Sequence, residues 1–306
     1  MALANSPALE QRLFYEGGRQ LFDAYNDLLK PRPHWGEICS TIATNSTTID
    51  LISLLDVPKY QELIGGVAFS DLKGRNLEVT PRNFGAGLKM HENIINDDNM
   101  NVLIDQIKQL GKTPEDAFCE HTFLALKGGI ATTSYGACLD SGAFFNATHS
   151  VGSTTFSNYT AGGGSTAWYL LDCSRALKPI VLVARENPEF KMESPDSSHR
   201  FETNEIRWKI QGRMWMSYGM WQLAYCDTNA LTDTRLWADI ATMRGYQDEE
   251  GRYISAQPTH LCVAPDTEQT ARELLERLRI QGTAAAPSNE PVQNLNLKLI
   301  VDPYLS

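Results

Sequence analysis

Basic charge is scarce in this chain of 306 residues: 27 Lys and Arg face 37 Asp and Glu, a formal net charge of −10. Dedicated nucleic-acid binders draw much of their affinity from neutralising phosphates, so this balance argues against one. The strongest basic cluster, Lys30-Pro31-Arg32, reads as a solvated turn. Long apolar runs are missing too, and nothing approaches the roughly 20 residues of a membrane-spanning helix. Met1–Pro7 has neither a basic n-region nor an apolar h-region, so no secretory signal is expected. Without that route the sequons at Asn45, Asn146 and Asn158 carry no message. Cys39, Cys119, Cys138, Cys173, Cys226 and Cys262 form no C-x-x-C pair and no zinc spacing. They read as free, mostly buried thiols in a reducing compartment.

Catalytic signatures are equally thin. Gly162-Gly163-Gly164-Ser165-Thr166 lacks the lysine and the strand–loop–helix setting of a phosphate loop. His91-Glu92 is not a zinc-protease motif, because position 95 is Ile, and no G-x-S-x-G elbow exists. Asp140-Ser141 and His149 supply the residue types of a hydrolytic group, but such a group is defined by geometry. Asp97-Asp98 reads as helix capping rather than as a cation site or an acid–base pair. Trp208, Trp215, Tyr218, Trp221 and Tyr225 fall at strand spacing in an acidic chain, which favours core packing or subunit contacts over a base-stacking platform. No catalytic, cofactor-binding or metal-ligating residue is assigned, and no cofactor is expected.

What is present is ordinary globular material, 42% hydrophobic and 21% charged. Leu21, Tyr25 and Leu28 form a helical stripe ended by Pro31 and Pro33, and 34–56 is mixed, so the start reads as an arm that needs a surface. Residues 60–95 suit a long hairpin or extended loop, with a turn at Asp71–Asn76. Met100, Leu103, Ile104, Ile107 and Leu110 mark the clearest helix. Thr113-Pro114 signals a second start and Gly128-Gly129 a stop, giving one long kinked helix or two in series. Residues 130–167 read as a long loop. Strands are expected at Trp168–Leu171, Pro179–Ala184, Glu205–Ile210 and Met220–Ala224. A helix over 231–243, a strand at Thr259–Ala264, a helix capped by Asp266 that ends near Gly282, and a strand at Leu295–Val301 follow. The class is α+β. An arm and an extended loop without cores of their own point to an assembly protein.

Particular stretches carry a resemblance. They are Tyr169-Leu170-Leu171-Asp172-Cys173-Ser174-Arg175 with Lys178-Pro179, and Gly219-Met220-Trp221-Gln222-Leu223-Ala224-Tyr225 with Leu231-Thr232. Tyr25-Asn26, Leu54, Val57-Pro58, Gly65, Asn83-Phe84, Asp97-Asp98 and Leu299–Tyr304 add to them. Over roughly residues 20–306 the chain resembles the major head subunits of Mu-like tailed phages, the gpT-type major capsid proteins. Phe144-Phe145 and His149 also fit, but Asn146 and Ser150 stand where that family usually has Asp and Pro.

The resemblance implies an HK97-type fold: an N-terminal arm at 1–58, an E-loop at 59–95, a P-domain with spine helix and sheet at 96–228, and an A-domain at 229–306. It implies a non-enzymatic major capsid protein of a tailed double-stranded DNA phage or prophage. Such a protein self-assembles as hexamers and pentamers into an icosahedral shell around the genome. Phe14, Tyr25 and Trp35 of the arm, Lys73, Gly74 and Arg75 at the E-loop tip, and Phe84 are the expected inter-subunit contacts. The implied partners are further copies, a scaffolding protein, a portal, a head protease and a decoration protein. DNA is contained without being gripped, no membrane is involved, and the virion is assembled in the bacterial cytoplasm. The rival readings are a tail or connector subunit, and a soluble hydrolase using His149 or Cys138.

Overall fold

The computed structural model describes residues 35–45, 48–52, 74–91, 100–131, 135–138, 140–163, 166–194, 197–248, 251–284 and 296–306. The described chain opens with α1 (Trp35–Ile38), β1 (Cys39–Ala43), β2 (Thr48–Ile52), β3 (Gly74–Glu78) and β4 (Arg82–His91). Next come α2 (Met100–Gly128), β5 (His149–Val151), β6 (Thr154–Phe156), β7 (Tyr159–Thr160), β8 (Trp168–Leu171) and β9 (Ile180–Met192). Then follow α3 (Ser198–Thr203), β10 (Glu205–Tyr218), β11 (Ala224–Asp227), α4 (Asp233–Arg244), β12 (His260–Val263), α5 (Glu268–Ala284) and β13 (Lys298–Val301). The chain divides into two units. One comprises 81–120 and 184–215 with the residues up to Gly36; the other comprises 37–80, 121–183 and 216–306.

In the first unit β4 pairs antiparallel with β10, from Arg82 opposite Met214 to His91 opposite Glu205. The period of two sorts the side chains: Ile206, Trp208 and Ile210 are buried while Arg207, Lys209 and Gln211 are exposed. The buried set packs with Met90 and with Leu110 of α2, and Leu88, Phe190 and Met192 close around it. Gly212 is required here. A Cβ on it would stand 3.0 Å from the Pro188 nitrogen and 3.1 Å from the Glu186 carbonyl oxygen. Pro188 has no N–H to offer the sheet, and the missing Cβ lets the two backbones approach.

Helix α2 is continuous from Met100 to Gly128 with Pro114 inside it, so Thr113-Pro114 starts no second helix. The helix stops where Gly129 meets Phe145: the Phe145 N–H donates to the Gly129 carbonyl at 2.7 Å. A Cβ on Gly129 would fall 2.8 Å from the Phe145 ring.

The second unit holds a five-stranded sheet in the order β13-β12-β8-β11-β7. All four residues of its central strand β8 are buried, as a strand covered on both faces demands. Helix α4, capped by the Thr232 hydroxyl, buries Leu236, Ile240 and Met243. Helix α5 buries Ala271 and Leu274. Glu37 ties α1 to the sheet edge, its carboxylate meeting Lys298 Nζ at 2.5 Å and His260 Nε2 at 3.2 Å. Burial alone would raise Glu37, but these two partners outweigh it and hold its carboxyl below the usual range.

Several sequence expectations change. Gly74–Glu78, expected partly as a turn, is a strand that pairs antiparallel with Thr48–Ile52. Arg82–His91, expected in a long hairpin or extended loop, is a full partner of β10. The expected long loop at 130–167 contains the β5–β6 hairpin, turned at Gly152 with φ 57°, and the edge strand β7. Met220–Ala224 is largely a 3₁₀ turn at Trp221–Leu223, with the strand starting at Ala224. Local apolar pattern cannot separate a short buried turn from a short buried strand. The stripe at Leu21–Leu28 and the Asp97-Asp98 start lie outside the described residues.

Candidate functional site

The structure does bring Asp140 and His149 together. The imidazole is fully buried, with Nδ1 2.5 Å from Asp140 Oδ2 and Nε2 3.0 Å from Asn158 Oδ1. Its ring lies flat on Trp221, centroids 4.1 Å apart and planes 4° apart. Asn158 is oriented by its own amide group, which donates to the Phe144 carbonyl at 2.8 Å and the Trp221 carbonyl at 3.3 Å. Its Oδ1 is therefore the acceptor end, and it also takes the Asn146 N–H at 2.8 Å. Both imidazole nitrogens thus face oxygen atoms of neighbouring side chains.

A hydrolytic histidine needs Nε2 available to take a proton from a nucleophile. Here that nitrogen is spent on a carboxamide oxygen, so the arrangement pins a loop and does not activate a hydroxyl. Burial would raise Asp140, but the bond and charge of His149, with the Gly142 N–H, outweigh it and hold the carboxyl low. Four of the six thiols are poor nucleophiles. Burial pushes Cys39 and Cys173 up to about 12 and drives Cys226 and Cys262 well above the usual thiol range. Among the described residues no group of three His, Cys, Asp or Glu could hold a metal ion. The Gly162 N–H, part of the glycine run, donates to Thr228 Oγ1 at 2.7 Å and is not held open for a phosphate.

Phe14, Tyr25 and Lys73 lie outside the described residues. Trp35 opens α1 with its ring 5.1 Å from that of Phe118. Gly74 and Arg75 begin β3, opposite Ile52 and Leu51. Phe84 in β4 is half-buried and stacks on Trp215 at 6.0 Å, while the Arg82 guanidinium sits 3.8 Å over the same indole.

Comparison with known proteins decides what such an arrangement is for. The sequence model of the Mu-like prophage major head subunit gpT matches residues 14–305. The chain belongs to that family. The Mu-like prophage FluMu major head subunit of Haemophilus influenzae is 30% identical over 98% of this chain and 99% of its own length. The major capsid protein of Escherichia phage Mu is 27% identical over 81% of this chain and 83% of its own. A chain from the procapsid of bacteriophage JBD30 shares 25% identity and superposes with a TM-score of 0.75, covering 97% of this chain and 99% of that one. A chain from the JBD30 capsid gives 0.72 at 16% identity, over 91% and 92%. The fold is α+β of the HK97 type, and the chain is a major capsid protein of a Mu-like phage.

For a head subunit the functional site is the surface that other copies meet. Sequence reasoning missed the most exposed large apolar side chains among the described residues. Phe201 on α3 is 91% exposed and Tyr253 is 62% exposed. The available signal was a lone Phe in the polar stretch Ser197–Asn204 between two strand patterns. Beside α3, the ends of β4, β9 and β10 enclose an open groove of about 480 Å³. Leu88, Met192 and Trp208 give it an apolar lining; its described polar lining is Lys89, Lys191, Arg207, Lys209 and Glu193, with Lys89 and Arg207 paired to Glu205 and Lys191 to Glu189.

Proposed function

We propose that the chain assembles as hexamers and pentamers into the icosahedral head of a tailed double-stranded DNA phage, in the cytoplasm of its bacterial host. The likeness to the JBD30 procapsid chain over 97% of this sequence is the observation that carries the reading. In this reading the protein works by geometry. Each copy contributes several modest contacts at once, and closure makes them cooperative. The net charge of −10 suits a wall that holds DNA without gripping it.

We read the arm into residues 1–58, the P-domain into 96–228 with α2 as spine helix, and the A-domain into 229–306. The E-loop, expected at 59–95, is best read as ending with β3, which returns along β2 at the end of the arm, because β4 is committed along its length to β10. Phe14, Tyr25 and Trp35 then belong to an arm that lies against other copies, Lys73, Gly74 and Arg75 to the far part of the loop, and Phe84 to the sheet beside it. A scaffolding protein, a portal, a head protease and a decoration protein complete the assembly in this reading.

The test is electron microscopy of the purified protein, expressed alone and with the neighbouring phage genes. Closed shells, or five- and six-fold rings, are expected in at least one preparation. Tubes or rings of a single size would point to a tail or connector subunit instead. A monodisperse monomer in both preparations overturns the proposal.

A further inference from the structure

We infer that Phe201 is the anchor of a contact between copies, inserted by one subunit into the groove over Leu88, Met192 and Trp208 of the next. This deepens the capsid reading and rests on it. Phe201 is presented by a six-residue helix that is fixed at both ends. At its start the Ser197 hydroxyl accepts the Arg200 N–H at 3.1 Å and donates to Glu193 Oε1 at 2.8 Å. At its end Asn204 takes the left-handed conformation, φ 54°, and its N–H donates to the Arg200 carbonyl at 2.9 Å. Two caps on so short a helix hold a ring that its own chain leaves 91% exposed. Lone exposed aromatics on a rigid support are the residues that fill pockets at the centres of interfaces.

The groove supplies such a pocket. A cavity of about 150 Å³ lined by aliphatic side chains already accepts a benzene molecule. The groove of about 480 Å³ therefore has room for a phenyl ring and the backbone turn that carries it. Charge fits as well. Exposed Glu202 follows Phe201, whereas Lys209 stands at the groove beside Lys191, which pairs with Glu189 at 3.0 Å. Arg200, on the other side of Phe201, is half-buried. Anchor and groove sit on one chain, so every copy gives one contact and receives another. That is the head-to-tail arrangement which closes into rings. A second copy is the occupant because a head subunit meets copies of itself in the shell.

Two measurements test this on shells of the full chain. Phe201→Ala should lower the yield of assembled particles at least tenfold, while the melting temperature of the unassembled subunit stays within about one degree, because the residue is 91% exposed. Glu202→Cys copies mixed with Lys191→Cys copies, treated with a short bis-maleimide, should give covalent dimers that neither variant gives alone. Normal assembly of the Phe201→Ala variant, or shells from the mixture without such dimers, overturns the inference. Failure of the wild-type chain to form shells at all would count against the capsid reading instead.

Discussion

The Thr113 hydroxyl donates to the Leu110 carbonyl at 2.8 Å, inside helix α2. That carbonyl is the acceptor a residue at position 114 would normally serve, and Pro114 has no N–H to serve it. Thr113 therefore makes good one of the two penalties of an interior proline, which together cost about 3 kcal/mol. The arrangement predicts coupling. Thr113→Val should destabilise the unassembled subunit by about 1 kcal/mol, the cost of leaving a part-buried carbonyl unpaired. In a Pro114→Ala background, where the alanine N–H takes the carbonyl, the same change should cost almost nothing. Urea denaturation of the four chains checks this, and additive effects would show that the hydroxyl has no such role.

The same two residues show where the sequence could be read and where it could not. Threonine followed by proline is a helix-start signal, because the first turn has no use for the proline N–H. Nothing local tells that case from a proline tolerated mid-helix beside a compensating hydroxyl. Periodicity did locate β8 and the first half of β10, where burial on both faces or strict alternation leaves a plain pattern. The β2–β3 ribbon stayed hidden because its strands lie far apart in sequence and Gly74-Arg75 carries turn chemistry. The assembly surface was least legible. Phe201 matters by being unpacked, and exposure is set by the fold, not by neighbouring residues.

The Asp140–His149 pair gives a pH prediction. The folded pKa of Asp140 lies below its unfolded value, so its stabilising contribution is complete above the ordinary carboxylate range. It is lost as the pH falls through the depressed folded value. Asp140→Asn should lower the urea midpoint at pH 7, and the gap to wild type should close in the most acidic range where the fold survives. A constant gap across that range would show that the carboxylate charge is not what holds the 140–158 loop.

Asp239 on α4 should behave in the opposite sense. It is buried, its Oδ2 meets no donor, and burial followed by the nearby Asp227 carboxylate pushes its carboxyl up to about 7. The folded state then holds a proton that the unfolded chain has given up. Stability is spent between about pH 4 and 7 as the pH rises, and is level above that. Asp239→Asn keeps the shape without the charge. Its melting temperature should exceed that of wild type by a margin that grows from pH 4 to 7 and then stays constant. An equal or lower melting temperature at pH 8 would mean that the ionised carboxylate is accommodated.

The two sequence stretches that carry the family resemblance meet at Gly219. Its N–H donates to the Pro179 carbonyl at 2.8 Å, and a Cβ there would stand 2.4 Å from the Lys178 carbonyl oxygen. Nearby, Asp172 is buried. Its N–H donates to the Leu223 carbonyl at 2.8 Å, and its carboxylate accepts the Ser174 hydroxyl at 2.6 Å and the Gln257 N–H at 3.0 Å. Arg175 from the same stretch reaches the Ile254 carbonyl at 2.5 Å. These two stretches thus form a joint in the backbone, held by backbone and buried side-chain hydrogen bonds. Gly219→Ala has to push a carbonyl aside on a buried strand end, so it should cost about 3 kcal/mol, at the upper end of overpacking penalties. Melting of the soluble subunit measures that cost directly. If Gly219→Ala melts within a degree of wild type, the close approach is not rigid and the backbone yields at this joint.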